Sequence, residues 1–146
     1  MTRLTRIKIG AAKPLRAAAA YVRMSVFVIE RNIKLLDEFD DKDSDQMVYG
    51  VLFDGKIPAT TCRFEKYDQH TLRIGRIATL EQFRGKRYGT QLVLAMEDFG
   101  RQQGFVRSLI HSEVTAENFY NKLGYFRVAK PFIEDGVKCV LVTKAL

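Results

Sequence analysis

An amphipathic helix between two groups of strand-like segments sets the fold class of this chain. Leu92, Ala95, Met96 and Phe99 recur at positions i, i+3, i+4 and i+7, and Gly104 follows as a stop signal. A helix with one apolar face buries that face against another element, and the segments on both sides have the patterns of strands. The spacing therefore predicts a mixed α/β fold in which this helix packs on a sheet.

The other segments predict the rest of the element order. Residues 47–53 and 57–64 are strand-like and are joined by Asp54-Gly55, a strong β-hairpin signal. The predicted order is β-α-β-β-β-α-β-α-β-β. Its remaining members are strands at residues 4–9, 71–80, 105–112, 125–129 and 137–143, a first helix that begins at Lys13-Pro14, and a short helix over residues 116–123 that Thr115 caps.

The period of two in the strand at residues 71–80 slips by one residue beside Gly75. Ile74 is followed by Ile77 as the next large apolar residue, which predicts a β-bulge. A bulge bends a strand away from its neighbour and leaves backbone amides unpaired. Residues 75–79 are therefore a candidate edge for docking a ligand, although an ordinary irregular sheet edge gives the same pattern.

Length and composition favour one domain over residues 1–146. The chain is long enough for one hydrophobic core and contains no internal repeat, linker or low-complexity tract. Its two cysteines do not make a disulfide framework, its longest apolar run has six residues, and no apolar leader follows the basic N-terminus. We therefore expect a cytoplasmic protein without a membrane span.

Charge is unevenly distributed along the chain. The formal net charge is +7, yet residues 37–45 hold six acids and one base, so the other residues carry +12. Such a surplus suits a polyanion, either a nucleic acid or a phosphate-bearing cofactor. Nucleic-acid binding is disfavoured because RNP-type aromatics, zinc-finger spacing and a basic recognition helix are all missing. A calcium-binding EF-hand would need glycine at Gln46 and glutamate at Leu52, so no metal site is expected.

The segment Arg84-Gly85-Lys86-Arg87-Tyr88-Gly89 is a turn that leads into the amphipathic helix. Backbone N–H groups at a helix start have no intrahelical partner and carry partial positive charge, and glycine lets an anion approach closely. Three added bases suit a ligand with more than one phosphate. The spacing excludes the Walker and dinucleotide-binding patterns, and a plain basic surface turn stays an alternative.

This turn resembles the pyrophosphate-binding loop, [Q/R]-x-x-G-x-[G/A], of the GNAT superfamily of acyl-CoA-dependent N-acetyltransferases. Arg84 and Gly89 match that pattern, whereas Arg87 replaces its middle glycine. Residues 74–78 are similar to the fourth strand of the family, and residues 116–125 are similar to its A-x-N-x-x-x-x-LGF-type block. The resemblance implies a mixed, mostly antiparallel central sheet of about six or seven strands flanked by three or four helices.

The amino-terminal part resembles a narrower group within the family. Residues 23–30, followed by the acidic segment, are similar to small stand-alone bacterial members of the ElaA-like or YjcF-like type. Many of those members carry a histidine on the final strand, where this chain has Cys139. A histidine base inferred from relatives therefore does not transfer to this chain, and Cys139 is expected to be a buried apolar thiol.

The resemblance implies an enzyme that transfers an acetyl group from acetyl-CoA to a primary amine of a small-molecule acceptor. The amine attacks the thioester directly, without a covalent enzyme intermediate. Coenzyme A is then a co-substrate, and no metal takes part. The residues that the resemblance assigns to coenzyme A are Ile77, Ala78, Thr79, Arg84, Gly85, Lys86, Arg87, Tyr88, Gly89, Thr90 and Asn118.

The same resemblance assigns Tyr120 as the group that supplies a proton to the leaving thiolate. At reference pKa values of about 8.5 for a thiol and about 10 for tyrosine, this transfer is uphill by roughly 2 kcal/mol, so Tyr120 assists without dominating. A core aromatic role is the alternative. The amine arrives protonated and needs a base, for which Glu113 and His111 are candidates, although a bystander histidine and a substrate-anchoring glutamate fit equally well.

Several alternatives stay open. The replaced glycine and the missing terminal histidine also fit a non-catalytic acyl-CoA-binding or regulatory module. The acidic segment is either a solvated loop or, together with Glu113, a negative surface that favours a cationic amine. The oligomeric state is not readable, although small sheets with exposed terminal strands often pair, which leaves a homodimer open.

Overall fold

A computed structural model describes residues 4–146. Its strands are β1 (Thr5–Gly10), β2 (Val48–Asp54), β3 (Ile57–Lys66), β4 (Thr71–Thr79), β5 (Arg107–Glu113), β6 (Phe126–Arg127), β7 (Phe132–Glu134) and β8 (Val137–Ala145). Its α-helices are α1 (Lys13–Arg23), α2 (Leu35–Glu38), α3 (Tyr88–Gln102) and α4 (Glu117–Lys122), and a π-helical segment (Met24–Glu30) continues α1. No helix in this part of the chain has the length and apolarity needed to cross a membrane.

The strands form a single mixed sheet in the order β1-β2-β3-β4-β5-β8-β6, and β7 also pairs with β8. Strands β4 and β5 are parallel, and the other pairs in the described chain are antiparallel. The prediction of a mixed, mostly antiparallel sheet with flanking helices is confirmed. The sheet has eight strands rather than six or seven, because β7 has only three residues and its alternation is too short to recognise.

Two local predictions need correction. Thr115 does not cap α4: it lies in a 3₁₀ turn (Val114–Ala116), and the residue before α4 is Ala116, which makes no side-chain cap. The short helix α2 inside the acidic segment was not predicted, because four residues are too few to show a helical period.

Helices α1 and α3 cover opposite faces of the sheet. Leu92 and Met96 of α3 pack so closely on β2 that a Cβ atom on Gly50 would lie 3.0 Å from the Met96 methyl carbon. Leu15 of α1 packs with Val51, the next residue of β2, in a separate apolar cluster. Successive strand residues point to opposite faces, so the two helices enclose the sheet. Both cysteines are free and buried.

Strands β4 and β5 separate after a short stretch of pairing. They are paired only between residues 71–73 and residues 107–109. Beyond that point β4 bulges, because Gly75 is paired with Arg63 and Ala78 with Thr61, which leaves two residues of β4 opposite one of β3. Arg76, one of these two residues, has a φ of +51°. The predicted bulge is therefore confirmed, and it lies where a gap opens between the carboxyl ends of β4 and β5.

Candidate active site

Two cavities meet in the gap between β4 and β5. The loop cavity, of about 790 Å³, lies beside the N-terminus of α3, and the split cavity, of about 600 Å³, lies between the separated strands. They share the lining residues Phe27, Arg31, Ile77, Glu113 and Ala116. Both volumes are in the range of small-molecule sites. The molecule therefore has space for two ligands that meet near Glu113.

The loop cavity brings together most residues that the sequence assigned to coenzyme A. Lys86 and Asn118 are exposed and do not line it. The residues that do line it are Ile77, Ala78, Thr79, Arg84, Gly85, Arg87, Tyr88, Gly89 and Thr90.

The N-terminus of α3 presents backbone donors to the loop cavity. The first N–H group bonded within this helix belongs to Gln91, which donates to the carbonyl oxygen of Arg87 at 3.1 Å. The amides of residues 89 and 90 come before it in the first turn and have no intrahelical acceptor. Arg87, with a φ of +64°, and Gly85, with a φ of +80°, make the tight turn that precedes these amides. Donors in this arrangement favour an anion.

Arg84 is bound within the protein. Its Nη1 and Nη2 atoms donate to the two carboxylate oxygens of Glu30 at 2.7 Å each, and its Nε atom donates to the carbonyl oxygen of Thr79 at 3.0 Å. The hydrogen bonds from Arg84 lower the pKa of Glu30. Because this pair joins the π-helical segment to the loop, a phosphate role for Arg84 would require it to exchange Glu30 for the ligand.

Tyr88 is also held by the protein through its side chain. Its hydroxyl donates to Oδ2 of Asp54 at 2.5 Å, and Asp54 is buried at the end of β2. The Tyr88 hydroxyl is therefore already engaged within the protein.

Tyr120 lines the split cavity and is 8% exposed. Its ring packs edge-on against Phe119 and Tyr125, with centroid distances of 5.0 and 6.1 Å. Burial raises the pKa of the Tyr120 hydroxyl well above its usual value. The phenol is therefore protonated at neutral pH and can act as a hydrogen-bond donor.

The two predicted bases, His111 and Glu113, lie on the same face of β5 and line the split cavity. The Glu113 carboxylate accepts a hydrogen bond from Nη2 of Arg31. His111 has a different partner, because its Nδ1 atom is 3.1 Å from Oε2 of Glu134. Its ring also packs edge-on against Phe132, with a centroid distance of 5.9 Å.

Glu134 was not predicted as a site residue. It ends β7 and lines the split cavity next to His111. A carboxylate bound to Nδ1 favours the tautomer in which Nδ1 carries the proton and Nε2 accepts one. The alternation Phe132-Ile133-Glu134 before the turn was the available signal, but three residues do not define a strand.

Part of the acidic segment is bound to buried arginines, so the solvated-loop interpretation holds only for its exposed acids, such as Asp37, Asp41 and Asp45. Arg23 and Arg63 are almost fully buried. Arg23 donates from Nε to Glu38 at 2.8 Å and from Nη1 to Asp43 at 2.7 Å, while Arg63 donates from Nη1 to Asp40 at 3.0 Å. Glu38 still lines the split cavity, but these arginines neutralise much of the negative charge once expected there.

Comparison with known proteins identifies one family. Residues 17–125 match the family model described as "Acetyltransferase (GNAT) family". A Streptococcus pyogenes protein named "Uncharacterized acetyltransferase in arcA 3'region" is 36% identical over 112 residues, which are 77% of each chain. A Lactobacillus plantarum crystal structure, named for the N-acetyltransferases, is 42% identical with a TM-score of 0.95, over 97% of this chain and 98% of that one. A GNAT family acetyltransferase from Elizabethkingia anophelis, solved with acetyl-CoA bound, shares the fold with a TM-score of 0.69 at 16% identity, over 97% and 98% of the chains.

Proposed function

The chain belongs to the Acetyltransferase (GNAT) family, as its loop and strand motifs predicted, and from this premise we propose that it transfers an acetyl group from acetyl-CoA to a primary amine of a small molecule. The observation that carries the proposal is the junction of the loop cavity and the split cavity at Glu113. One cavity has donors for a diphosphate, and the other has a phenol and two bases for the chemistry of an amine.

The residues of the loop cavity fit the phosphates of coenzyme A. The backbone amides of residues 89 and 90 supply donors, and exposed Lys86 and Arg87 supply positive charge beside them. Beyond Arg73, β4 has no pairing with β5, so its bulged part is open to the amide groups of a pantetheine arm. These features support coenzyme A as the co-substrate.

In this proposal the thioester supplies the activated acetyl group, and the protein supplies orientation and proton transfer. His111 accepts the proton of the amine at Nε2, and Glu134 holds the ring through Nδ1. Tyr120 donates a hydrogen bond to the departing sulfur. Since the raised pKa of Tyr120 makes complete proton transfer more uphill than at reference values, it acts mainly as a hydrogen-bond donor. Glu113, paired with Arg31, orients the substrates where the cavities meet.

Acetyl-CoA is expected to raise the melting temperature of the protein. Arg87→Ala is expected to weaken the binding of acetyl-CoA about tenfold, because a charge-assisted contact to a phosphate is lost.

Arg87→Gly provides a second test, because it relieves the left-handed backbone of a non-glycine residue. This variant should stabilise the unliganded protein by about 1 kcal/mol and bind acetyl-CoA as weakly as Arg87→Ala does. Thermal shifts over a titration of acetyl-CoA measure both effects, with Arg107→Ala as the control. The absence of a shift at millimolar acetyl-CoA would contradict the proposal.

Tyr120→Phe is expected to lower kcat about tenfold with little change in the KM for acetyl-CoA, because only the hydrogen bond to the sulfur is removed. Release of free thiol, followed over a panel of polyamines, amino acids, aminoglycosides and short peptides, provides the assay. An unchanged kcat would mean that Tyr120 only packs in the core. Binding of acetyl-CoA without thiol release from any acceptor would instead indicate a non-catalytic acyl-CoA-binding module.

A further inference from the structure

Arg73 lines the split cavity, and its guanidinium group is poorly paired within the described chain. It lies on β4 where the pairing with β5 ends, it lines the cavity, and its side chain is 20% exposed. Its ion-pair contact runs from Nη1 to Oε1 of Glu65 over 4.0 Å, and its Nε atom is buried without a hydrogen-bond partner in the described chain. A guanidinium in this state has donors left for a ligand.

The Glu65 carboxylate, which Arg73 contacts, is already paired with two other cations. Lys42 Nζ lies 2.7 Å from Oε1 of Glu65, and Arg63 Nη2 lies 3.2 Å from Oε2. The connected cluster has one positive charge in excess, and Arg73 makes its longest contact. Its cations are Arg23, Lys42, Arg63, Arg73 and Arg76, and its anions are Glu38, Asp40, Asp43 and Glu65.

The other end of the split cavity has the opposite character. Glu113, Glu134 and Asp135 line it there, with Arg31 as the nearby cation. Arg73 is paired with Leu109 of β5, so the backbones of His111 and Glu113 lie roughly 7 and 13 Å farther along the strand. Long side chains shorten these separations. One cavity therefore holds a cation and the proposed base within the span of a small molecule.

We infer that the acceptor carries a carboxylate besides its amine, and that Arg73 binds this carboxylate while the amine lies toward His111 and Glu113. The inference rests on the proposed acetyl transfer and names the class of its acceptor. A carboxylate on the guanidinium neutralises the single excess charge of the cluster and matches its planar set of donors. A phosphate, with nearly two negative charges, would exceed that surplus beside the acids of the same cavity.

The test compares amino acids with their carboxamides, which keep the amine and lose the negative charge. Matched pairs of α-amino acids, β-alanine and γ-aminobutyrate are assayed by thiol release from acetyl-CoA. Acids are expected to exceed amides in kcat/KM. Arg73→Gln is expected to lower kcat/KM about 10- to 100-fold for the acids and hardly at all for the amides. Arg73→Lys should keep part of the preference, and Arg107→Gln, an exposed arginine of β5, should keep all of it.

Equal losses for acids and amides in Arg73→Gln would mean a structural role and overturn the inference, as would a wild-type protein without preference. Saturation-transfer NMR of the same pairs, with coenzyme A present, separates binding from transfer. Preferential binding of acids that Arg73→Gln abolishes, without thiol release, would support the Arg73 site and refute the proposed transfer. Failure of the acids both to bind and to react would overturn the inference.

Discussion

Replacement of His111 by glutamine is expected to lower kcat about 100-fold, with a smaller change in the KM for acetyl-CoA. The acceptor amine arrives protonated at neutral pH and has to lose a proton before its lone pair can attack. Glutamine keeps a polar side chain of similar length at this position, but it cannot accept that proton. Steady-state thiol release at saturating acetyl-CoA, with an identified acceptor amine, measures the effect.

The chain offers a matched control, because its other histidine, His70, lies exposed in the turn before β4. His70→Gln should keep kcat. Glu134→Gln removes the charge at Nδ1 but keeps an acceptor there, so its loss should be smaller than that of His111→Gln. If Glu113→Gln reduced kcat more than His111→Gln did, the base would be Glu113 and our assignment would be wrong.

Asp43→Asn is expected to lower the free energy of unfolding by about 3 kcal/mol, since it removes one partner from a buried set of charges. Asp43 accepts hydrogen bonds from Arg23 Nη1 at 2.7 Å, Arg63 Nη1 at 3.2 Å and the Tyr49 hydroxyl at 2.7 Å. Asparagine keeps the shape but leaves two buried guanidinium groups short of one negative charge. Urea unfolding at pH 7 measures the loss, and Asp41→Asn, at an exposed neighbour, should change stability by less than about 0.5 kcal/mol.

The same variant should change the acid sensitivity of the protein. Burial by itself raises the pKa of Asp43, but hydrogen bonds from Arg23 and Tyr49 outweigh it and hold the pKa well below its usual value. A carboxyl shifted in this direction contributes its full stability above the unfolded-state pKa of about 3.9 and loses it as the pH falls toward the folded-state pKa. The stability difference between wild type and Asp43→Asn should therefore be constant near pH 7 and shrink below about pH 4.

Neighbouring carboxyls affect the overall pH dependence and, because they share arginines with Asp43, part of this difference. Burial raises the pKa of Asp40 and of Glu65, but hydrogen bonds from Arg63 to Asp40 and from Lys42 to Glu65 outweigh this effect. The pKa of each carboxyl is therefore lowered. Burial dominates at Glu38 and raises its pKa, so this residue acts in the opposite sense. Comparing wild type with Asp43→Asn removes the contribution of Glu65 most completely, whereas Asp40 and Glu38 share Arg63 and Arg23 with Asp43 and stay coupled to it. A difference that stayed constant down to about pH 3 would contradict the ion-pair explanation.

Most elements were predictable because their signals are local. The stripe that begins at Leu92 predicted α3, and the slip of alternation beside Gly75 predicted the bulge in β4. The errors lie where an element is too short to show a period, as in β7 and α2. They also occur where local chemistry competes with the rest of the fold, as at Thr115, which lies in a 3₁₀ turn instead of capping α4.

The candidate site was predictable to the level of its residues and not of their partners. The motif placed Arg84 at a phosphate, but the folded chain pairs it with Glu30, 54 residues away. Glu113 was a candidate base, but Arg31, 82 residues away, binds its carboxylate. Glu134 was missing altogether, because its role depends on β7 lying beside His111.

The sequence alone determined the order of the longer elements, the cationic turn before α3 and the family, because these depend on patterns within a few residues and on short motifs. Only the tertiary structure decided which charges neutralise one another and which remain available in the two cavities. Ion pairs join side chains that are far apart in the chain, and their strength depends on burial and on distances of a few ångströms. Arg73 illustrates this physical limit, since its excess charge becomes visible only when every partner of Glu65 has been located.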